Sequence, residues 1–293
     1  MRPATRRRTR AWSRRLGVID TGSGRLLRTV AVSRDPNSIA VDSHAKRAFV
    51  VGYGDPELGS IGTVTMLDTG RDVVLATLHI ADFPRQVVAD ARTGHVFVSD
   101  TYSVYMLDAA SGRTLRTLSM IGNEPGAMAV DERTHRVFAT NGGQVQVIDT
   151  PSGSLVASPT LVQDSTVSAF AVDERRGWVV ATGYRNADLA GTVSVLDARD
   201  GRVLRQTAVG ARPIAVAVLP ALDRIVTLDN RYGIGDPVQD VDNLHILRET
   251  TGRVLGGRQV AGTALAVSAQ HGRIFVIGQA DGAVTVLDGG TWD

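Results

Sequence analysis

The chain has 293 residues, 32 basic and 30 acidic side chains, 43% hydrophobic residues and no cysteine. Disulfide frameworks, thiolate nucleophiles and thiolate metal centres are therefore excluded, and the apolar content excludes a disordered or collagen-like chain. The net charge of +2 is uneven: residues 1–15 carry seven arginines (Arg2, Arg6, Arg7, Arg8, Arg10, Arg14 and Arg15) and no acid, which leaves 25 basic against 30 acidic side chains in a body at −5.

Residues 1–15 are expected to form a disordered leader ahead of one folded domain, residues 16–293. The leader passes directly into Leu16-Gly17-Val18-Ile19-Asp20, without the apolar stretch that a cleavable secretory signal needs. No run of about 18 apolar residues that would span a bilayer occurs. The tail is basic enough to touch a polyanion, but the acidic body opposes wrapping one, so nucleic acid is not expected as a partner.

From residue 16 onward the chain is a repeat. An apolar residue followed by Asp recurs at Ile19-Asp20, Leu67-Asp68, Leu107-Asp108, Ile148-Asp149, Leu196-Asp197 and Leu287-Asp288, with Leu247-Arg248 as a degenerate copy. Each unit reads as four short strands. The first is continuous and apolar, as in Ile39-Ala40-Val41-Asp42 and Met128-Ala129-Val130-Asp131, the pattern of a strand covered on both faces. The second follows after a short turn, as in Arg47-Ala48-Phe49-Val50 and Arg136-Val137-Phe138-Ala139. The third alternates, as in Thr192-Val193-Ser194-Val195-Leu196, so one face is packed and one is wetter. A turn with glycine four residues past the anchor Asp (Gly24, Gly112, Gly153, Gly201) leads to the fourth, because glycine tolerates positive φ.

Four antiparallel strands per unit, repeated at this period, predict an all-β β-propeller of four-stranded blades. Strand counting gives six blades, with seven possible. The last unit stops after its third strand, so residues 25–32 are expected to close the ring by supplying its fourth, and residues 16–20 are left over as a duplicate strand three.

The strand-two endings Phe49-Val50-Val51-Gly52, Phe97-Val98-Ser99-Asp100, Phe138-Ala139-Thr140-Asn141 and Phe275-Val276-Ile277-Gly278 resemble the YVTN motif. With the prolines before strand one (Pro36, Pro84, Pro125, Pro213), residues 17–293 are similar to the YVTN (YncE-like, surface-layer) propeller repeats. The resemblance implies the propeller fold and a bacterial envelope or secreted setting, although the chain as given shows no signal; it implies no particular activity.

Loops that enter strand one and loops that join strands two and three emerge on one face of such a propeller, which makes that face the expected ligand surface. The second-to-third connection is extended at 52–62, 183–191 and 229–243. Tyr53, Tyr184, Arg185, Asn230, Arg231 and Tyr232 in these loops are the candidate ligand-binding residues. The neighbouring Tyr184, Arg185, Arg231 and Tyr232 would form an aromatic and cationic patch for an anionic or sugar-like ligand. Asp229-Asn230 and the acids of 236–243 supply oxygens for a hard cation, but without EF-hand spacing they read as a solvated acidic loop.

His44, His95, His135 and His271 fall at the turn between strands one and two in different units, and Asp42, Asp90, Asp131 and Asp173 at strand-one ends. Both sets read as structural turn residues; His79 and His245 read as isolated. No nucleophile elbow, phosphate loop or H-E-x-x-H occurs. The expected function is a monomeric, non-catalytic binding or interaction scaffold without cofactor or metal, for an unidentified protein or small-molecule partner. A propeller hydrolase of the lactonase type, or a cofactor-dependent oxidoreductase with its site at the channel mouth, is the first alternative, and nucleic-acid binding through the basic leader is the second.

Overall fold

The structure, a computed structural model, describes residues 15–19, 25–53, 62–81, 83–119, 126–161, 164–229, 243–260, 262, 264–268, 271–277 and 284–291. Apart from the 3-10 turn Pro220–Leu222, every regular element among them is a β-strand. An N-terminal pair, β1 (Arg15–Ile19) and β2 (Leu26–Ala31), precedes the blades. Blade 1 contains β3 (Pro36–Asp42), β4 (Arg47–Gly52), β5 (Gly62–Asp68) and β6 (Val73–Ala81). Blade 2 contains β7 (Gln86–Asp90), β8 (His95–Ser99), β9 (Ser103–Asp108) and β10 (Thr114–Ser119). Blade 3 contains β11 (Met128–Asp131), β12 (Arg136–Asn141), β13 (Gln144–Asp149) and β14 (Leu155–Ala157). Blade 4 contains β15 (Ser165–Asp173), β16 (Trp178–Arg185), β17 (Ala190–Asp197) and β18 (Val203–Ala211). Blade 5 contains β19 (Pro213–Leu219), β20 (Arg224–Asp229), β21 (Asn243–Arg248) and β22 (Val254–Gln259). Blade 6 contains β23 (Ala264–Ser268), β24 (Arg273–Ile277) and β25 (Val284–Asp288).

Within every blade each strand pairs antiparallel with the next in sequence, giving five four-stranded sheets, one of three strands and the two-stranded β1–β2 sheet. The fold is the expected propeller. Its inner strands pack in succession, β3 on β7, β7 on β11, β11 on β15, β15 on β19 and β19 on β23.

The core lies between blades. Phe49, Val51, Val64 and Met66 of blade 1 meet Val87, Ala89, Val96 and Val98 of blade 2, and the same pairing of faces recurs from blade 2 to 3 around Phe97, 3 to 4 around Phe138, 4 to 5 and 5 to 6. The strand-two aromatic is thus a packing residue. Phe49, Phe97 and Phe138 are wholly buried, each contributing about 1.5–3 kcal/mol of transfer free energy. The turn glycines behave as read: Gly112, Gly153 and Gly201 all have positive φ.

Two expectations are corrected. Residues 25–32 do not complete blade 6: β2 pairs with β1, from Arg15 opposite Ala31 to Ile19 opposite Leu26, and Leu16, Val18, Val30 and Val32 pack on Ala48, Val50 and Leu67 of blade 1. The leftover strand-three copy is the nearest antiparallel partner along the chain, and a local hairpin closes at far smaller entropic cost than pairing across the whole molecule. The folded part also begins one residue earlier than expected, since Arg15 belongs to β1; residues 1–14 lie outside the described residues.

Candidate functional site

Of the six residues expected to bind a ligand, Asn230, Arg231 and Tyr232 lie outside the described residues, as do Asp236, Asp240 and Asp242 of the same loop, whereas Asp229 is wholly buried at the end of β20. Tyr53 is exposed at the end of β4. Tyr184 and Arg185 do not sit in a long loop: β16 and β17 continue as a hairpin, with Tyr184 opposite Gly191. Only a turn over residues 186–189 remains, closed by Leu189 N–H donating to the Arg185 carbonyl at 2.8 Å. Arg185 forms a fork with Asp188, Nε to Oδ1 at 2.8 Å and Nη2 to Oδ2 at 2.5 Å. That pairing holds the Asp188 carboxyl below its usual range and strengthens the arginine's hold on its proton. The described half of the expected cationic patch is therefore neutralised within its own turn, and blades 2 and 3 separate it from Tyr53.

Beside Tyr53 the loop face carries two aromatics that the repeat pattern does not mark. Phe83 lies in the connection from β6 to β7, exposed and at φ 67, a left-handed conformation that is uncommon and costly for a bulky residue. Tyr102 caps the turn between β8 and β9 and is 71% exposed. The turn beneath it is rigid. The buried Asp100 accepts from the Tyr102 and Ser103 amides at 2.8 and 2.7 Å and from the Tyr105 hydroxyl at 2.9 Å. Arg85 N–H donates to the Ser99 carbonyl at 2.8 Å, tying the Phe83 connection to the same strand end.

Neighbouring entry loops on this face are bonded across blades. Asn37 Nδ2 donates to the Pro84 carbonyl at 3.1 Å, Val87 N–H donates to Ser38 Oγ at 3.2 Å, and Gln86 both donates to and accepts from the Met128 backbone. Tyr53, Phe83 and Tyr102 thus occupy one corner of a stiff surface, at the loop ends of adjacent blades. Aromatic side chains placed this way offer large contact area at small entropic cost.

The titratable groups are otherwise engaged. On the opposite face His44 Nδ1 donates to the Ala91 carbonyl and His95 Nδ1 to the Thr150 carbonyl, both at 2.8 Å. Asp90, wholly buried, accepts from the Arg92 and Thr93 amides in its own turn at 3.0 and 3.2 Å. Its second oxygen accepts from His135 Nδ1 at 3.2 Å and Thr150 Oγ1 at 2.5 Å in blade 3. His271 stays local, 3.1 Å from Ser268 Oγ. Strand-one acids and turn histidines are structural, as read, but they bind blade to blade as well as capping turns.

His245 is not isolated. Its Nε2 lies 2.9 Å from Oδ2 of the wholly buried Asp229, the arrangement of an acid–base pair. The pair is walled in: a Cβ at Gly210 would collide with both partners, and one at Gly257 would lie 3.2 Å from His245 Nδ1. No nucleophilic side chain is bonded to it among the described residues, and no group of three or more His, Asp or Glu that would hold a metal ion occurs among them. No helix among the described residues is long and apolar enough to cross a membrane.

No family model matches the chain, and no curated protein matches it. Solved structures do: hydrazine synthase of Kuenenia stuttgartiensis matches with a TM-score of 0.71 and 16% identity over 86% of this chain and 76% of that one. The computationally designed Ika8 protein matches with a TM-score of 0.69 and 18% identity, over 92% of this chain and 76% of that one. At such identities the likeness shows the propeller fold and nothing of activity.

Proposed function

We propose that this chain is a non-catalytic β-propeller scaffold that binds a protein or peptide partner on the loop face, at the corner formed by blades 1 and 2. The carrying observation is the exposed aromatic group Tyr53, Phe83 and Tyr102 on a surface stiffened by Asp100 and by bonds between blades. The strand-one acids and turn histidines support the same reading, since they are spent on turns and seams between blades. The YVTN-like strand-two endings favour placement among YVTN-repeat propellers, and with it an envelope or secreted setting.

The test is selection of a random peptide library on the full chain and on a variant carrying Tyr53→Ala, Phe83→Gly and Tyr102→Ala. Peptides enriched on the unmodified chain should bind the variant at least about tenfold more weakly, while its melting temperature stays unchanged. Equal binding would sink the proposed corner. Lactone turnover by purified protein together with stoichiometric metal would sink the scaffold reading and turn attention to Asp229 and His245.

A further inference from the structure

Strand one ends in an aspartate in blades 1 to 4, and all four residues, Asp42, Asp90, Asp131 and Asp173, are wholly buried. In each, one carboxylate oxygen accepts from amides of its own turn, as Asp42 Oδ1 does from Ala45 N–H at 2.8 Å. The other oxygen is met by side chains from three places: three residues further along the same turn, the equivalent turn of the next blade, and the residue that follows strand three of that blade. In blade 2 the next blade supplies His135 and Thr150 to Asp90 Oδ2. In blade 3 the same turn supplies Thr134, whose hydroxyl donates to Asp131 Oδ2 at 2.8 Å. In blade 4 it supplies a cation, Arg176, 2.9 Å from Asp173 Oδ2.

For Asp42 those three places hold Ala45, Gly94 and Ala109. None carries a side-chain donor, and Asp42 Oδ2 is buried without a hydrogen-bond partner. Room accompanies the deficit: glycine and alanine stand where His135 and Thr150 stand one blade on, and a Cβ at Gly94 would meet no atom beyond its chain neighbours within 4 Å. Ala45 and Ala109 pack in the apolar cluster between blades 1 and 2, so the core side offers no donor either. The nearby polar side chains serve other partners. His44 Nδ1 donates to the Ala91 carbonyl at 2.8 Å and Thr93 Oγ1 to the Asp90 carbonyl at 3.3 Å. No basic side chain among the described residues lies within ion-pair distance of Asp42.

We propose that the seam between blades 1 and 2 binds a monovalent cation, ammonium, sodium or potassium, against Asp42 Oδ2. The ion takes the position that the Arg176 guanidinium fills at Asp173 between blades 4 and 5. A buried carboxylate oxygen demands a donor or a counter-charge, and one deprived of all three protein donors selects a mobile partner. A cation answers the charge as well as the lone pair, as Arg176 does. One carboxylate matches a single charge, whereas calcium needs six or more oxygens. The bound ion joins the turn of blade 1 to that of blade 2. It does so on the face opposite the aromatic corner, so the two proposals fail independently.

The test is thermal unfolding of the full chain in the chlorides of sodium, potassium, ammonium and choline at one ionic strength. Choline, a bulky cation with no hydrogen on its nitrogen, is the inert reference. At least one of the three small ions should raise the melting temperature saturably, by at least about 2 °C at about 100 mM, and so identify itself. The amide resonances of Ala45 and Gly94 should shift in the same titration. Asp42→Asn keeps an acceptor for the Ala45 amide but removes the charge, and should abolish both effects. If that variant fails to fold, Ala109→Thr decides: it supplies from the chain the hydroxyl that Thr150 supplies one blade on, and should raise the melting temperature in choline while erasing the response to the small ions. Equal melting temperatures in all four salts would overturn the proposal and assign the missing donor to water. A response that survives in a folded Asp42→Asn variant, or in Ala109→Thr, would overturn it by placing the ion elsewhere.

Discussion

The seam between blades 2 and 3 and the seam between blades 4 and 5 fill the same positions of the repeat with different side chains. In the first, Asp90 accepts from two donors of the next blade, His135 and Thr150. In the second, Asp173 takes the place of Asp90, and the positions of His135 and Thr150 are filled by Asp223 and Glu249, so three acids converge. The compensation comes from the turn of blade 4, where Arg176 occupies the position of Thr134. Its Nη1 lies 2.9 Å from Asp173 Oδ2 and 3.0 Å from Glu249 Oε2, and its Nη2 lies 3.3 Å from Asp223 Oδ1. Trp178 stacks below, with the Arg176 and Arg205 guanidinium groups each 5.5 Å from its ring centroid, and Arg205 donates to the Glu249 and Thr250 carbonyls. A third seam completes the contrast. In blade 2 the positions of His135 and Thr150 are Gly94 and Ala109, which offer no side-chain donor, and Asp42 Oδ2 is buried without a partner. One carboxylate position therefore exists in three states across the molecule: bonded only within its own turn, hydrogen-bonded to His135 and Thr150 of the next blade, and bridged by Arg176.

Removing the cation should break the contrast most severely. Arg176→Met leaves Asp173 buried without its counter-charge and Glu249 without its hydrogen-bond donor, and is expected to cost about 3–5 kcal/mol in chemical denaturation. A loss below about 1 kcal/mol would show that the acids reach water. In the seam between blades 2 and 3, Thr150→Val keeps the volume but strips Asp90 Oδ2 of its shortest hydrogen bond, with an expected loss of about 1–3 kcal/mol in the same measurement. The unpaired seam can be mended instead. Ala109→Thr places a hydroxyl where Thr150 sits in blade 3 and should raise stability by about 1 kcal/mol; a lower denaturation midpoint would mean that the side chain is too large for the seam.

The repeat explains why the blades are legible in the sequence and the seams are not. Strand one, the buried Phe of strand two and the turn glycines follow from local pattern, because the same packing problem is solved in each unit. Hydrogen bonds between blades join residues far apart in sequence, such as Asp90 and Thr150, and no local signal marks them. The glutamate at 249 is legible in principle, since Thr69, Ala109, Thr150, Ala198 and Gly289 at the same place in the other units are small, and a charged residue there demands a partner. Tyr102 belongs to no repeat position, and Phe83 takes the place before the entry proline that Asp35 and Arg212 fill in blades 1 and 5 with the same positive φ, so a pattern built on apolar strand positions passes over both. The hairpin β1–β2 escapes for a different reason: its strands have outer-blade sequences, but which sheet they join is decided by chain proximity.

The mildest change in weakly acidic solution is the most specific probe of the charged seam. Burial first, and then the neighbouring Asp173, push the Glu249 carboxyl up to about 8, against 4.5 for an exposed glutamate. The folded chain therefore holds a proton on Glu249 that the unfolded chain releases at lower pH. The stability tied to that proton is complete below about 4.5 and is lost as pH rises through about 8, since the unfolded state binds fewer protons across that window. Glu249→Gln keeps the shape of the protonated side chain and removes the titration. Near pH 5 the variant should unfold within about 1 kcal/mol of the parent. From about pH 5 to 8 the parent should weaken relative to the variant by up to a few kcal/mol, at about 1.4 kcal/mol per pH unit, and above about pH 8 the difference should level off. Thr150→Val, which touches only the seam between blades 2 and 3, should leave the slope tied to Glu249 in place. Parallel stability curves for Glu249→Gln and the parent from about pH 5 to 9 would mean that Glu249 ionises freely and that the two seams differ in geometry alone.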